Sequence, residues 1–427
     1  MYGSSGVQHN LQQNVYTSLI SITTIILIVI IARKQCEHIR QATGWIFIYG
    51  RRKTGKTFLA RHCSDFDDYY FVTRDRTIID NEGMSISEET LRAQLGRSSD
   101  RVVVIDEFHR LGQPFLDFLH FLPQKGKLLI LSSTLWLSKK LLSHGSPILG
   151  KFKEFNISLI DLDDVLGSLR GSGRFRLEIS IFLREPLAIK FYDENVSDAL
   201  EFATNVITGS MNTVPALVGE IFSEEGRILS RTYEAIISAI ASKHYVSSEI
   251  SSVLFSRKLI DKDDPSLIQP YLNNLLRMGL IRRLKVFARN RYQYRVSSPL
   301  AATFYYLNEK YGIAERDVRP SEIREKISEL LPLLVEDEVR SSIAAILGME
   351  EQVAESVNAD GIFLAFKKPR AALEVKWRER VDISRVEEAM KDIDVQRKIL
   401  FVPDKKGLKS NSLEIWDVGD LMNSSHG

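Results

Sequence analysis

Three sets of residues in this chain have the types and spacing to do chemistry. The first is Gly50-Arg51-Arg52-Lys53-Thr54-Gly55-Lys56-Thr57, which satisfies the pattern G-x-x-x-x-G-K-[ST] in full. Gly50 and Gly55 allow a tight loop whose backbone N–H groups turn inward on phosphates, and Lys56 can reach the β and γ phosphates. Thr57 offers a hydroxyl to Mg²⁺ where the next helix begins, and the dipole of that helix also favours an anion. The second set is Asp106-Glu107, which ends the apolar run Val102-Val103-Val104-Ile105. There Asp106 would hold the hydration shell of the cation, and Glu107 would polarise an attacking water. A basic surface turn and a strand that meets solvent at two acids are the plain alternatives. The first is weakened by the buried strand before the loop and the amphipathic start Phe58-Leu59 after it, the second by following a phosphate loop by about 50 residues.

The third set is Asp360 with Glu374 and Lys376. Side chains alternate along a strand, so Glu374 and Lys376 share a face. A hairpin that sets Asp360 beside that face brings two carboxylates and an ammonium together. Asp360 and Glu374 would then hold Mg²⁺ while Lys376 orients or activates water, the chemistry of metal-dependent phosphodiester cleavage. A solvated strand face on a structural domain is the competing reading of the same residues.

The elements needed to position these groups can be read around them. Trp45–Tyr49 is an unbroken apolar run between Gly44 and Gly50, as expected of a buried parallel strand that feeds the loop. A helix from Thr57 to about Cys63, a strand at Tyr69–Val72, a polar segment from Thr73 to Glu89 and a helix over Glu89–Leu95 should follow. A further buried strand, Lys127–Leu131, ends in Ser132-Ser133-Thr134. In additional-strand NTPases a small polar residue at that point lies between the two carboxylates and senses the γ-phosphate. Ser132 and Ser133 are both candidates, and both would serve equally as strand-end caps. The alternation of strand and helix predicts an α/β fold with a P-loop NTPase parallel sheet, its ligand at the carboxyl ends of the strands.

With 427 residues the chain has room for two or three domains, and its 44% hydrophobic and 26% charged content is that of a folded protein. A net charge of +2 excludes a global basic field, so any nucleic-acid surface must be local. Cys36 and Cys63 are too far apart for a metal knuckle and too few for a disulfide framework, which suits a reducing, cytoplasmic setting. From Val15 to Ala32 no residue is charged, and about 18 apolar residues is the lower limit for crossing a bilayer as a helix. Arg33, Lys34 and Arg40 follow, which would put the rest of the chain at the inner face of the membrane. A buried strand or helix, or a wrongly assigned start codon, are the alternatives to such an anchor.

The expected division is residues 1–40 for the apolar N-terminal segment, 41–160 for the P-loop core and 161–228 for a helical lid. A winged helix-turn-helix over 229–312, a C-terminal α/β nuclease-like domain over 313–410 and a loosely ordered tail over 411–427 complete it. The winged helix rests on helices Tyr233–Ser242, Ser247–Phe255 (capped by Ser247 or Ser248, with Glu249 in its first turn) and Ser266–Met278, then strands Leu280–Val286 and Tyr292–Val296. Arg277, Arg282, Arg283, Lys285, Arg289, Arg291 and Arg295 gather on its last third. They suggest a DNA contact, a solvated ribbon or a surface that docks other domains. Helices at Ser321–Leu334 and Val335–Ile346 should lead into the last domain.

Tyr49-Gly50-Arg51-Arg52 through Thr57, Ile105-Asp106-Glu107-Phe108 and Ser146-Pro147-Ile148-Leu149-Gly150-Lys151 together resemble the archaeal branch of AAA-type ATPases. The resemblance covers approximately Gly44 to Pro403. It implies ATP and Mg²⁺ as cofactors, a lid, a winged helix and a C-terminal domain similar to the PD-(D/E)xK nuclease fold, with Glu338 as accessory acid. Two departures stand out. The apolar segment replaces an Arg-Glu-rich opening helix, and Lys151 replaces an arginine that could touch the nucleotide of the same or a neighbouring subunit of a homo-oligomer. Lysine keeps the charge but loses the bidentate fork. Two classes of function remain: an ATP-driven enzyme acting on DNA, and a nucleotide-dependent switch or scaffold, membrane-anchored or not, with a catalytically silent C-terminal domain.

Overall fold

The computed structural model describes residues 31–97 and 100–424. Helix α1 (Lys34–Gln41) precedes strand β1 (Trp45–Tyr49), which has no polar face to offer water and is buried along its whole length. The phosphate-loop segment follows, then α2 (Lys56–Cys63), β2 (Asp68–Val72), β3 (Ile78–Ile79), β4 (Ser85–Ile86) and α3 (Glu88–Arg97). Next come β5 (Val102–Asp106), α4 (Gln113–Phe121), β6 (Lys127–Ser132), α5 (Trp136–Leu141) and β7 (Lys153–Asn156). These strands form one sheet in the order β4-β3-β2-β5-β6-β1-β7, parallel from β2 to β7. Strand β6 lies between β1 and β5, so the loop and the acidic pair leave the sheet on either side of Ser132. This is the strand order of a P-loop NTPase with the additional strand.

The polar segment after β2 holds an antiparallel hairpin, β3 with β4, on the sheet edge. One expectation for this half needs correction. The two cysteines are bonded to each other: Cys36 on α1 joins Cys63 at the end of α2, with Cα atoms 5.1 Å apart. Spacing in sequence had argued against a framework of bridges, but one bridge needs only two helices packed side by side.

A helical region follows: α6 (Leu162–Ser168), α7 (Gly173–Leu183), α8 (Pro186–Ile189), α9 (Ala199–Thr208) and α10 (Thr213–Glu224). Asp198 caps α9 by accepting from the amides of Leu200 and Glu201. Then come α11 (Arg231–Ala241), α12 (Ser247–Ser256), α13 (Pro265–Arg277), the antiparallel strands β8 (Ile281–Val286) and β9 (Tyr292–Val296), and α14 (Pro299–Tyr311). The cap of α12 is Val246 rather than a serine. Glu249 closes that end from inside, accepting from the amides of Tyr245 at 2.9 Å and Val246 at 3.4 Å.

The last part opens with α15 (Pro320–Leu347), one helix of 28 residues where two were expected. Pro332 lacks an amide for the helix ladder, yet buried Leu330, Leu331, Leu334 and Val335 hold the chain helical across it. It leads to β10 (Glu350–Val353), β11 (Gly361–Ala365), β12 (Lys368–Val375), α16 (Ile383–Met390), β13 (Arg397–Phe401), β14 (Glu414–Trp416) and α17 (Val418–Ser424). The second sheet runs β14-β13-β12-β11-β10-β8-β9, so the ribbon β8–β9 is continuous with the C-terminal strands. Val286 and Lys285 pair in parallel with Val353 and Gln352, across the boundary expected at 312. Beyond Ser410 the chain is not a loose tail. Strand β14 pairs with β13, and Leu413, Val418 and Leu421 are buried.

All but the last two residues of Val15–Ala32 lie outside the described residues. No helix among the described residues is long and apolar enough to cross a membrane.

Candidate functional site

The loop after β1 is shaped by close approach. A Cβ at Gly50 would lie 2.1 Å from the carbonyl oxygen of Ile157, so only glycine fits there. Gly55 has φ +92° at the start of α2, a left-handed conformation that glycine adopts without strain. Inside the loop, Lys56 is buried and its Nζ donates to the Arg51 carbonyl at 2.8 Å, while Thr54 Oγ1 donates to the same oxygen at 2.9 Å. Burial pulls the Lys56 ammonium down to about 8, against the opposing pull of Glu107 and Asp106. It therefore stays largely charged at neutral pH.

Strand β5 delivers its two acids to different tasks. Asp106 Oδ2 accepts from Thr57 Oγ1 at 2.7 Å and from Tyr69 OH at 2.6 Å. Burial and the Asp106 charge push the Tyr69 hydroxyl well above its ordinary range, so it remains a donor. Glu107 is left-handed, with φ +59°, an uncommon backbone for a residue with a side chain. Its Oε2 accepts from Ser133 Oγ at 2.5 Å and from the Ser133 amide at 3.3 Å. The two serines thus differ. Ser133 touches the acid, whereas fully buried Ser132 faces Thr134 Oγ1 at 2.8 Å and His109 Nδ1 at 3.1 Å.

A cavity of about 600 Å³ opens over these groups, lined by Arg52, Lys53, Gly55, Lys56, Thr57, Glu107 and Ser133 among others. Pro186 and Leu187 of α8 line it as well, and helix α10 packs against the loop through Arg52. Arg52 Nε donates to Glu220 at 2.6 Å and its Nη1 to Glu224 at 3.2 Å. Glu224 also accepts from Arg110 at 2.9 Å and lies 3.3 Å from His109 Nε2. The His109 hydrogen bond, then Arg110 and Arg52, hold its carboxyl down at about 2. The next residue, Glu225, accepts the amides of Leu135, Trp136 and Leu137 at the start of α5, at 2.5, 2.9 and 2.9 Å. Arg51 reaches buried Glu185 at 2.6 Å, and Glu185 also accepts from Ser298 Oγ at 2.7 Å. Arg33, before α1, donates to the Thr54 carbonyl at 2.7 Å.

Sequence reasoning named the loop and the two acids but missed Arg33, His109, Arg110, Glu185, Glu220, Glu224 and Glu225. One signal was available: two consecutive loop arginines, if buried, demand carboxylate partners. Lys151 does not face the cavity. Its Nζ caps the carboxyl end of α4, donating to the carbonyls of Leu119 at 2.9 Å, Leu122 at 3.1 Å and His120.

The C-terminal set also comes together. Asp360 lies just before β11, and its Oδ2 accepts the Val375 amide at 2.7 Å. Glu374 and Lys376 form an ion pair on the same strand end. Burial raises the carboxyl of Asp360, and burial with the Asp360 charge raises that of Glu374. Glu338 is not the accessory acid; it pairs with Arg184. Two residues, about half a turn of α15, put Glu336 toward the set instead, where burial and the Asp360 charge push it up to about 7. Three mutually repelling acids beside one lysine suit a hard cation. Their ligand atoms are not drawn tight, however. Among the described residues the one triad of acid or imidazole ligand atoms within 4.8 Å of each other is Glu107, His109 and Glu224, where Arg52 and Arg110 oppose a cation.

The basic cluster of the ribbon is split: Arg295 is buried and Arg282 half-buried, whereas Arg277, Arg283, Lys285, Arg289 and Arg291 are exposed. Arg295 pairs with Asp337 at 3.1 Å and Arg282 with Glu351 at 3.3 Å, while Arg291 pairs with Glu355. Arg277 stacks over Trp136 and Arg283 over Tyr292. These ion pairs suit a docking role for Arg282, Arg291 and Arg295.

No family model matches the chain, and no curated protein matches it. Among solved structures it is similar to a Walker-type ATPase of Pyrococcus abyssi, at 16% identity and TM-score 0.46, over 65% of this chain and 96% of that one. It is also similar to the ORC2 protein of Aeropyrum pernix, at 11% identity and TM-score 0.36, over 73% of this chain and 94% of that one. A third is the Aeropyrum pernix ORC1 protein in complex with DNA, at 14% identity and TM-score 0.31, over 63% of this chain and 87% of that one. Likenesses this distant carry no argument about activity, so the functional reading rests on the site itself.

Proposed function

We propose that the chain is a P-loop ATPase that acts on DNA, with an ATPase core over 41–160, a lid over 161–228, a winged helix over 229–312 and a nuclease-like domain over 313–410. The observation that carries the ATPase reading is the convergence of Lys56, Thr57, Glu107 and Ser133 on one cavity at the carboxyl ends of β1, β5 and β6, with buried Asp106 hydrogen-bonded to Thr57 behind it. Lys56 would exchange the Arg51 carbonyl for phosphate oxygens, which are better partners for an ammonium. Thr57 and Asp106, already sharing a hydrogen bond, would hold Mg²⁺, which would offset the phosphate charge. Glu107 would leave Ser133 to orient the attacking water and take its proton. Arg51 and Arg52, tied to Glu185 and to Glu220 and Glu224, would hold the lid against the loop.

In the nuclease-like domain, Asp360 and Glu374 would hold a divalent cation, Lys376 would orient water, and Glu336 would take the place first given to Glu338. One observation favours the second reading, a nucleotide-dependent scaffold: the ribbon arginines bind the protein's own acids, as in a docking module. ATP turnover and DNA cleavage by the full chain, with single-stranded, duplex and branched DNA, separate the two. Asp360→Ala should abolish cleavage and leave ATP turnover intact. A chain that hydrolyses ATP but leaves every DNA intact with Mg²⁺ or Mn²⁺ is the scaffold.

A further inference from the structure

The hairpin that joins Asp360 to Glu374 carries an oddity at its other end. Ala365 pairs with Lys368, so the turn between them is the two residues Phe366 and Lys367. Their φ values are +50° and +64°, the doubly left-handed turn that asparagine and glycine fill with least strain. A bulky side chain there is a backbone outlier, and outliers of this kind cluster where the structure serves a function. Phe366 is also 97% exposed, the most exposed large apolar side chain among the described residues. Lys367 and Lys368 are exposed and Arg370 is half-buried, and none of the three has an ion-pair partner among the described residues.

We infer that this tip is a contact for unpaired nucleic acid, with Phe366 as a stacking platform for a base and Lys367, Lys368 and Arg370 against the flanking phosphates. An aromatic face accepts any base, and three cations beside it supply the backbone attraction. The five residues of β11 span about 17 Å at ~3.4 Å each. Asp360 and Phe366 flank this strand, six residue steps or about 20 Å apart, so at 3.4 Å per nucleotide along a stacked strand the tip would hold a base about six nucleotides from Asp360. The inference rests on the DNA-acting reading and names its substrate form. Continuity of the tip with the acid set favours nucleic acid over an anionic membrane, which could use the same chemistry.

The test is equilibrium binding of labelled single-stranded DNA and RNA oligonucleotides by the full chain, with thermal unfolding measured in parallel. Phe366→Gly relieves the turn strain while removing the ring. It should leave the melting midpoint unchanged or raised while weakening oligonucleotide binding about tenfold, whereas Phe366→Trp should retain binding. Lys367→Gln with Lys368→Gln should reduce the salt slope of binding by about 1.4, at ~0.7 per lost phosphate contact on a single strand. Parent-like binding by Phe366→Gly overturns the inference alone. Absence of single-stranded oligonucleotide binding by the parent overturns it, and absence of duplex and branched DNA binding as well overturns the DNA-acting reading with it. Loss of binding by Phe366→Gly only to phosphatidylserine vesicles overturns it in favour of a lipid surface.

Discussion

Removing the charge of Glu224 isolates the contact between lid and loop. That carboxylate accepts from Arg52 and Arg110 and lies within hydrogen-bond reach of His109, which hold it at about 2 rather than the ordinary 4.5. Each pH unit of depression corresponds to about 1.4 kcal/mol, so the whole effect is bounded near ~3 kcal/mol. Arg52 also reaches Glu220, and both arginines lie within 4 Å of Glu107, so re-pairing returns part of this. Glu224→Gln should therefore make local opening of α10 easier by about 1–2 kcal/mol, the scale of a partly buried charge-assisted contact. Hydrogen exchange reads this as amides of Thr213–Glu224 exchanging about 5- to 30-fold faster at pH 7. The sign with pH is fixed: a depressed carboxyl contributes fully above 4.5 and loses its contribution as pH falls toward 2. The difference between parent and variant should shrink over that window. If the variant's α10 amides exchange at the parent rate at pH 7, these contacts do not hold the lid.

Reduction should loosen the first sheet and its helices, because the Cys36–Cys63 bond closes a separation of 27 residues, worth about 3.5 kcal/mol by loop entropy. Calorimetry with and without dithiothreitol should show a lower midpoint when reduced, and Cys36→Ser with Cys63→Ser should remove the response to reductant. Glu336 gives the opposite pH signature from Glu224. Its folded value of about 7 lies above the unfolded 4.5, so stability present below 4.5 is lost as pH rises through 7. Glu336→Gln should thus stabilise the C-terminal unit by about 1–3 kcal/mol at pH 8 and little at pH 4, as read by denaturant titration. Mg²⁺ should stabilise the parent at pH 8 more than the variant.

The parts of the fold that were legible in the sequence are those set by local pattern. The run Trp45–Tyr49 could only be a buried strand, and the loop motif after it fixes its own geometry through Gly50 and Gly55. Contacts made between distant elements were hidden. Nothing near Glu224 or Glu185 marks them as partners of Arg52 and Arg51, because their roles arise only when α10 and the turn before α8 close on the loop. The choice between Glu336 and Glu338 depends on the rotation of α15, which an unexpected continuation through Pro332 sets. The pairing of Arg282, Arg291 and Arg295 was hidden because their acids, Glu351, Glu355 and Asp337, lie in a segment expected to be another domain. The cysteine pair was misread for the same reason, since helix packing and not sequence spacing brings Cys36 to Cys63.

The central claim, that Lys56, Asp106 and Glu107 form an ATP-hydrolysing centre, is tested most directly by ATP binding and single-turnover hydrolysis measured on the same preparations. Lys56→Ala should lose ATP binding. Glu107→Gln should bind ATP as the parent does and hydrolyse it at least about 10²-fold more slowly, the contribution of a positioned general base. Hydrolysis by Glu107→Gln at the parent rate would contradict the account.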